Sequence, residues 1–346
     1  MELVCKWCGA PIKGEICEWC KSKIDDDRLK IYYQAEELHK DYNENIRKKI
    51  LKSEPLSKSE DETFKTLLDY NMIKNEEFDG EFILYNILLQ NKIISYDTFS
   101  SLIKKFVEKT MQLVTKGINE KMVKDLVYVD IKDLKHNFAG SAIEHHFYLF
   151  DPKTIQNLYQ GDINAFITIT HEMYHGVHDI MIKSGEVHEV LIQIIKENII
   201  RKTESKYNDI NDSYYFKNYK SLASEIFADQ SAINLVEHFL NYCNLKVKDG
   251  FFEEKRNRFD KYVSNQNRIV TIDGEEKIMT VDEIFEDIIS DHPEFLEEYS
   301  QLNLEYIKDG DKVRKKTKKE LKETLDALEK EDAIIYVQHL LNKNYS

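Results

Sequence analysis

Four prolines and eleven glycines are all that interrupt 346 residues. Proline breaks the helical hydrogen-bond ladder and glycine costs backbone entropy, so a chain this poor in both is free to run in long helices. An apolar fraction of 42% supplies the core that such helices need. The expectation is an α+β, mostly helical protein of two or three domains. Lys plus Arg number 49 and Asp plus Glu 63, so 49 − 63 leaves −14. That deficit of cations disfavours nucleic acid as a partner, because phosphate must be neutralised. No apolar run approaches the roughly 18 residues of a membrane span. The opening Met1-Glu2-Leu3-Val4-Cys5 lacks the basic-then-apolar pattern of an export signal. The expected setting is therefore the reducing cytoplasm, away from membranes, with export by a route that uses no cleavable signal as the alternative.

In that setting paired cysteines are metal ligands more often than disulfides. Cys5 and Cys8 form one CxxC and Cys17 and Cys20 a second. Each pair places two thiolates on one tight turn, and two turns complete a tetrahedral four-sulfur site. Gly9, Pro11 and Gly14 suit a short hairpin between them. The pattern looks like a minimal zinc ribbon over residues 1–22, closed and therefore structural. Two disulfides or free thiols are the alternative. The fifth cysteine, Cys243, is expected in a helix core.

Residues 23–120 read as a helical domain. Asp25, Asp26 and Asp27 offer an N-cap and first-turn acids, and Ser57 with Glu60 forms a capping box after Pro55. A further helix is expected from Thr98 to about Thr115. Near residue 121 the texture changes: Leu126–Ile131 and His145–Phe150 are β-branched and aromatic, as in strands. Past residue 245, Asp273-Gly274 marks a hairpin and Thr280 with Glu283 a capping box. Residues 246–346 are read as a helical C-terminal region. The basic run Lys312–Lys322 is interspersed with acids and reads as a solvated helix face.

The chemistry is concentrated in His171-Glu172-Met173-Tyr174-His175, inside a helical pattern that begins at Asp162. Histidines at i and i+4 share one face and can grip one ion. Glu172 lies about 100° round the helix, beside the ion, where a general base takes a proton from activated water. A third protein ligand is needed. The metzincin continuation calls for Gly and His where this chain has His178 and Met181, which excludes it. Glu186, Glu189 and Glu197 fall on a segment with its own apolar face. Glu225 is better placed, at the start of an amphipathic helix running to about Tyr242. Asp229, one turn on, is the candidate partner for the second ring nitrogen of His171. Asp179, i+4 from His175, either serves similarly or braces the helix.

These residues resemble the gluzincin metallopeptidases, and within them the catalytic domains of the anthrax lethal factor and Pro-Pro endopeptidase type. Those carry Glu-x-Phe-Ala-Glu/Asp after the HExxH helix, and this chain has Glu225-Ile226-Phe227-Ala228-Asp229. The resemblance covers roughly residues 121–245 and implies a gluzincin-like domain with a small sheet. It implies a catalytic zinc on His171, His175 and Glu225, with Glu172 as base. It also implies an oxyanion-stabilising tyrosine seven residues before the glutamate. Asn218 stands there, so the role passes to Tyr219, with Tyr214 and Tyr215 further back. An edge strand above the cleft would pair with extended substrate, and the 138–150 region is the place for it. His145 and His146, alternating on a strand, would point to opposite faces, and a solvated histidine is the expected reading.

The expected function is zinc-dependent endopeptidase, a hydrolase of protein or peptide substrates with one catalytic and one structural zinc. The rival is an inactive peptidase-like interaction module, which has no need of Glu172.

Overall fold

The computed structural model describes residues 5, 8, 10–11, 16–23, 35–74, 77–124, 127–134, 139–143, 145–203, 214–256, 267–310 and 312–327. The helix start expected at Asp25–Asp27 lies outside them, as does Phe138. The chain is α+β and mostly helical. It divides into two compact units: Met1–Leu113, Val127–Ser141 and Phe147–Thr168 in one, and Val114–Leu126, Ala142–His146 and Ile169–Ser346 in the other.

In the first unit the helices are α1 (Ala35–Asp41), α2 (Arg47–Leu51), α3 (Lys58–Asp69), α4 (Gly80–Leu88) and most of α5 (Tyr96–Ile118). A π-helical turn, Tyr42–Ile46, joins the first two. The capping box starts α3: the Glu60 amide donates to Ser57 Oγ at 3.4 Å and the Ser57 amide to Glu60 Oε2 at 2.8 Å. Phe64, from its apolar face, stacks on Tyr42 with ring centroids 5.7 Å apart, and both are fully buried. Strands β1 (Tyr128–Ile131), β2 (Gly140–Ile143) and β3 (Phe147–Phe150) form a sheet of order β1-β3-β2, with β1 parallel to β3. β2 is thus an edge strand. Helix α6 (Pro152–Tyr159) follows, its N-terminus capped by Asp151, which accepts from the Lys153 amide at 2.9 Å.

Helix α7 (Ile163–Lys183) carries the HExxH sequence into the second unit. Asp162 accepts the Asn164 amide at 2.9 Å, fixing the helix start where the sequence puts it. Next come α8 (Glu189–Lys202), α9 (Tyr214–Asn218), a 3-10 turn at Tyr219–Ser221 and α10 (Ala223–Tyr242). Ala223 packs with Leu191 and Ile194 of α8, against Met181, Ile182 and Phe227, so the small residue brings α10 close to α8. Cys243 is the half-buried C-cap of α10, not a core residue, because the helix ends one residue before it.

Further on, the described residues of the second unit include the hairpin β4 (Asn267–Ile272) and β5 (Glu275–Thr280), then α11 (Val281–Asp291), α12 (Phe295–Glu298) and a 3-10 turn at Ser300–Leu304. A second hairpin, β6 (Tyr306–Asp309) and β7 (Lys312–Lys315), leads to α13 (Lys318–Ala327). Asp273 and Gly274 take φ of 53° and 81°, the positive pair that a tight two-residue hairpin requires. The basic run expected as one helix face begins instead as strand β7. Its Arg314 is occupied by Asp309 at 3.0 Å and Glu320 at 2.8 Å. One core takes Ile192, Ile195, Ile199 and Ile200 from α8 together with Val270, Phe285, Ile288, Leu302 and Val313. Residues on both sides of position 245 therefore share a single apolar core. No helix among the described residues is long and apolar enough to cross a membrane.

Candidate metal centre

Two groups of side chains among the described residues could hold a metal ion. In the first, the Cys5 amide donates to Ala10 O at 2.8 Å and the Cys17 amide to Ser22 O at 3.0 Å, folding each CxxC into a knuckle. Cys5 Sγ lies 3.5 Å from Cys20 and Cys8 Sγ 3.6 Å from Cys17. A disulfide needs about 2.05 Å, so all four are thiols. Four sulfurs at about 2.3 Å from one ion would stand about 3.8 Å apart, close to the spacings found. The Ser22 hydroxyl and amide draw the Cys20 thiol down to about 6, while at Cys8 the pull of the Ala10 amide is outweighed by burial and the neighbouring cysteines, which push it up to about 12, so one thiol of the cluster loses its proton first.

The second group is built by α7 and α10. The apolar residues Phe166, Ile169, Met173 and Ile180 bury one side of α7. His171, Glu172 and His175 share another stripe and are themselves largely enclosed. His171 Nε2 and His175 Nε2 are 3.0 Å apart. Glu225, in the first turn of α10, brings Oε2 to 3.4 Å from the former and Oε1 to 3.5 Å from the latter. Three donors of a tetrahedral ion with bonds of 2.0–2.1 Å would stand about 3.3 Å apart. Each histidine meets a different oxygen of Glu225 at close to that distance, and one donor atom from each of the three residues lies within 4.8 Å of the others.

The surrounding charges favour a cation. His171 Nδ1 contacts Asp229 Oδ1 at 2.7 Å, which aims Nε2 into the triangle. Burial would discharge His171, but the bonds to Asp229 and Glu225 outweigh it and hold the imidazole up to about 10. His175, buried beside that charge, falls to about 4. Glu225 is held below the usual carboxylate range: burial opposes this, and the two histidines prevail. Glu172 goes the other way. Burial first, then the Glu225 carboxylate, push it up to about 7, although the Ala142 amide donates to it. Three carboxyls and two imidazoles converge here, a hard-and-borderline donor set that suits a divalent ion.

Tyr219 reaches this centre from the 3-10 turn before α10, its hydroxyl within hydrogen-bonding reach of Glu225. Burial and that carboxylate push the phenol far up, so it stays a proton donor. Tyr215 packs edge-on to it with centroids 5.2 Å apart, and burial pushes its phenol up to about 12. Asn218, at the position where the resemblance calls for tyrosine, is buried. It bonds the backbone of β4, with Nδ2 to Ile269 O and the Ile269 amide to Oδ1, both at 2.9 Å. It supports the backbone; the hydroxyl at the centre belongs to Tyr219.

Asp179, read as either a partner for His175 or a brace for its helix, makes bracing contacts: it accepts from the backbone and Nδ1 of His145, at 3.1 and 2.7 Å, and from Lys183 at 3.0 Å. It ties α7 to the turn before β3. His145 is accordingly buried, not solvated, and His145 and His146 occupy that turn with ring centroids 3.7 Å apart. The strand begins only at Phe147, so the alternation that would separate the two rings does not operate. Sequence reasoning also passed over Arg268 and set Glu197 aside, yet both are buried beside the start of α10. For Glu197 a signal existed: with Lys196 it breaks the apolar run Ile194, Ile195, Ile199, Ile200.

Comparison with protein-family models, with curated proteins and with solved structures finds no match for this chain.

Proposed function

We propose that this chain is a zinc-dependent endopeptidase of gluzincin type, with a structural zinc in its N-terminal ribbon. The observation that carries the reading is the triangle of His171, His175 and Glu225 with an acid beside it that ligates nothing. A purely binding site has no use for Glu172, a buried carboxyl shifted to about 7 beside the three ligand candidates. Zinc held there would supply Lewis acidity, polarising the scissile carbonyl and making water acidic enough to lose a proton near neutrality.

The chain's own residues do the rest. Glu172 takes the proton from the attacking water and returns it to the leaving amine; a pKa near the working pH suits both transfers. Tyr219, protonated throughout, donates to the oxygen on which negative charge develops. Asp229 fixes the tautomer of His171 and raises its basicity. Ala142 of β2, an edge strand among the described residues, donates its amide to Glu172, so this backbone lies next to the base. An extended peptide adding to that edge would bring its carbonyl to the centre.

The substrate is a protein or peptide. Labelling new N-termini in cells that express the wild-type chain or Glu172→Gln tests this. Cleavage products should appear with the wild type alone, and identical sets from both would defeat the reading.

A further inference from the structure

Helix α10 begins without a cap of its own. Its N-cap position is Leu222, whose side chain accepts no hydrogen bond, where Ser, Thr, Asp or Asn would be usual. Glu225 is the third residue of the helix, in the turn that frays first when its amides lack acceptors. A ligand carboxylate placed there depends on whatever holds that turn.

What holds it comes from elsewhere in the sequence. Glu197 Oε2, from α8, accepts the Ala223 amide at 2.6 Å, doing the work of the missing cap. Its carboxyl, which burial pushes up against the opposing pull of Arg268 and the Ala223 amide, also faces the positive end of the helix. Glu197 Oε1 accepts from Arg268 Nε of β4 at 2.7 Å, with Arg268 Nη2 also 2.7 Å away. The same Nη2 donates to Ser221 O at 2.7 Å, in the turn that carries Tyr219. Both charged side chains are almost wholly buried, at 3% and 5% exposure. Asn218 and Lys217 add further ties from this segment to β4, through Ile269 and Thr271.

We infer that Glu197 and Arg268 are a positioning pair for the metal centre, capping α10 from outside so that Glu225 and Tyr219 are set together. A buried ion pair is a poor device for stability alone, because desolvation consumes most of its attraction. Its value here is geometric: one guanidinium–carboxylate unit fixes a ligand and a proton donor that lie on separate backbone elements. The inference rests on the proposed function for its purpose, but its structural claim can be tested apart from catalysis.

The variant Glu197→Leu with Arg268→Leu removes both charges at once and fills their space with apolar atoms, which buried pairs commonly tolerate. Arg268→Lys, which keeps the charge but loses the fork, is the conservative companion. Two readouts apply to the full chain: amide exchange across Ala223–Ile226, and zinc affinity at the histidine centre by chelator competition with the ribbon already loaded. We expect the double variant to melt within a few degrees of wild type, exchange those amides at least tenfold faster and bind zinc about 10- to 100-fold more weakly. Arg268→Lys should fall between. Unchanged exchange and unchanged affinity in folded variants would overturn the inference. So would affinity lost only in proportion to unfolded protein. If wild type takes up only the ribbon's zinc, the proposed function fails, while the exchange measurement still decides the pair.

Discussion

Replacing Glu172 by Gln should stabilise the chelated protein at alkaline pH and leave it unchanged in acid. The reason is the work of keeping a carboxylate charged among other acids in a buried centre. Glu172 titrates at about 7 in the folded chain against 4.5 ordinarily, burial being the main cause and Glu225 the next. A carboxyl whose folded pKa is raised binds more protons in the folded state than in the unfolded one, so stability falls as pH rises through that window. Below pH 4.5 both states are protonated and nothing is lost; above pH 7 the whole penalty is present. A rise from 4.5 to about 7 corresponds to on the order of 3 kcal/mol. Gln retains an oxygen for the Ala142 amide and has no charge to desolvate. The assay is thermal unfolding of wild type and Glu172→Gln in excess chelator from pH 4 to pH 9. At roughly 2–4 °C per kcal/mol for a unit of this size, the variant should melt about 6–12 °C higher at pH 8 and together with wild type at pH 4. Zinc, by neutralising the site, should shrink the difference. Parallel curves at all pH values would refute the claim that Glu172 is held in the folded protein at a cost.

Other consequences follow from the same geometry. His171→Ala with His175→Ala should lower metal content from two ions per chain to one, read by elemental analysis; an unchanged count would remove the histidine centre from the account. Glu225→Ala should strip that ion, whereas Asp229→Ala, which only orients His171, should weaken it by about 10- to 100-fold in chelator competition. Equal effects of the two would contradict their assigned places. Tyr219→Phe should keep both ions and lower kcat about a hundredfold with KM little changed, since only the oxyanion donor is lost. The same loss from Tyr215→Phe with none from Tyr219→Phe would exchange their roles.

The residues of the metal triangle were legible because helical periodicity is short-range. Spacing of i and i+4 puts His171 and His175 on one face, and the apolar pattern around Glu225 and Asp229 marks the helix that meets them. The bond from Asp229 to His171 was legible for the same reason. Capping boxes at Ser57 and Thr280 and the turn at Asp273-Gly274 are equally local, and the structure has them. What escaped were long-range pairings. Nothing near Arg268 announces that it reaches Glu197, 71 residues away, and the i+4 spacing that leaves Asp179 as either a partner for His175 or a brace does not announce His145, 34 residues away. The turn at His145-His146 was hidden by side chains that suit a strand as well as a turn. Cys243 was misplaced by a single residue at a helix end, where local pattern is weakest.

The central claim, hydrolysis of peptide bonds at His171, Glu172, His175 and Glu225, is tested most directly by offering the purified zinc-loaded chain a diverse peptide library and reading cleavage by mass spectrometry. The account predicts a defined set of cut sites for wild type, lost on chelation, restored by zinc, and absent from Glu172→Gln at full metal content. Cleavage by Glu172→Gln at the wild-type rate, or none by a wild-type chain carrying both ions, would contradict it.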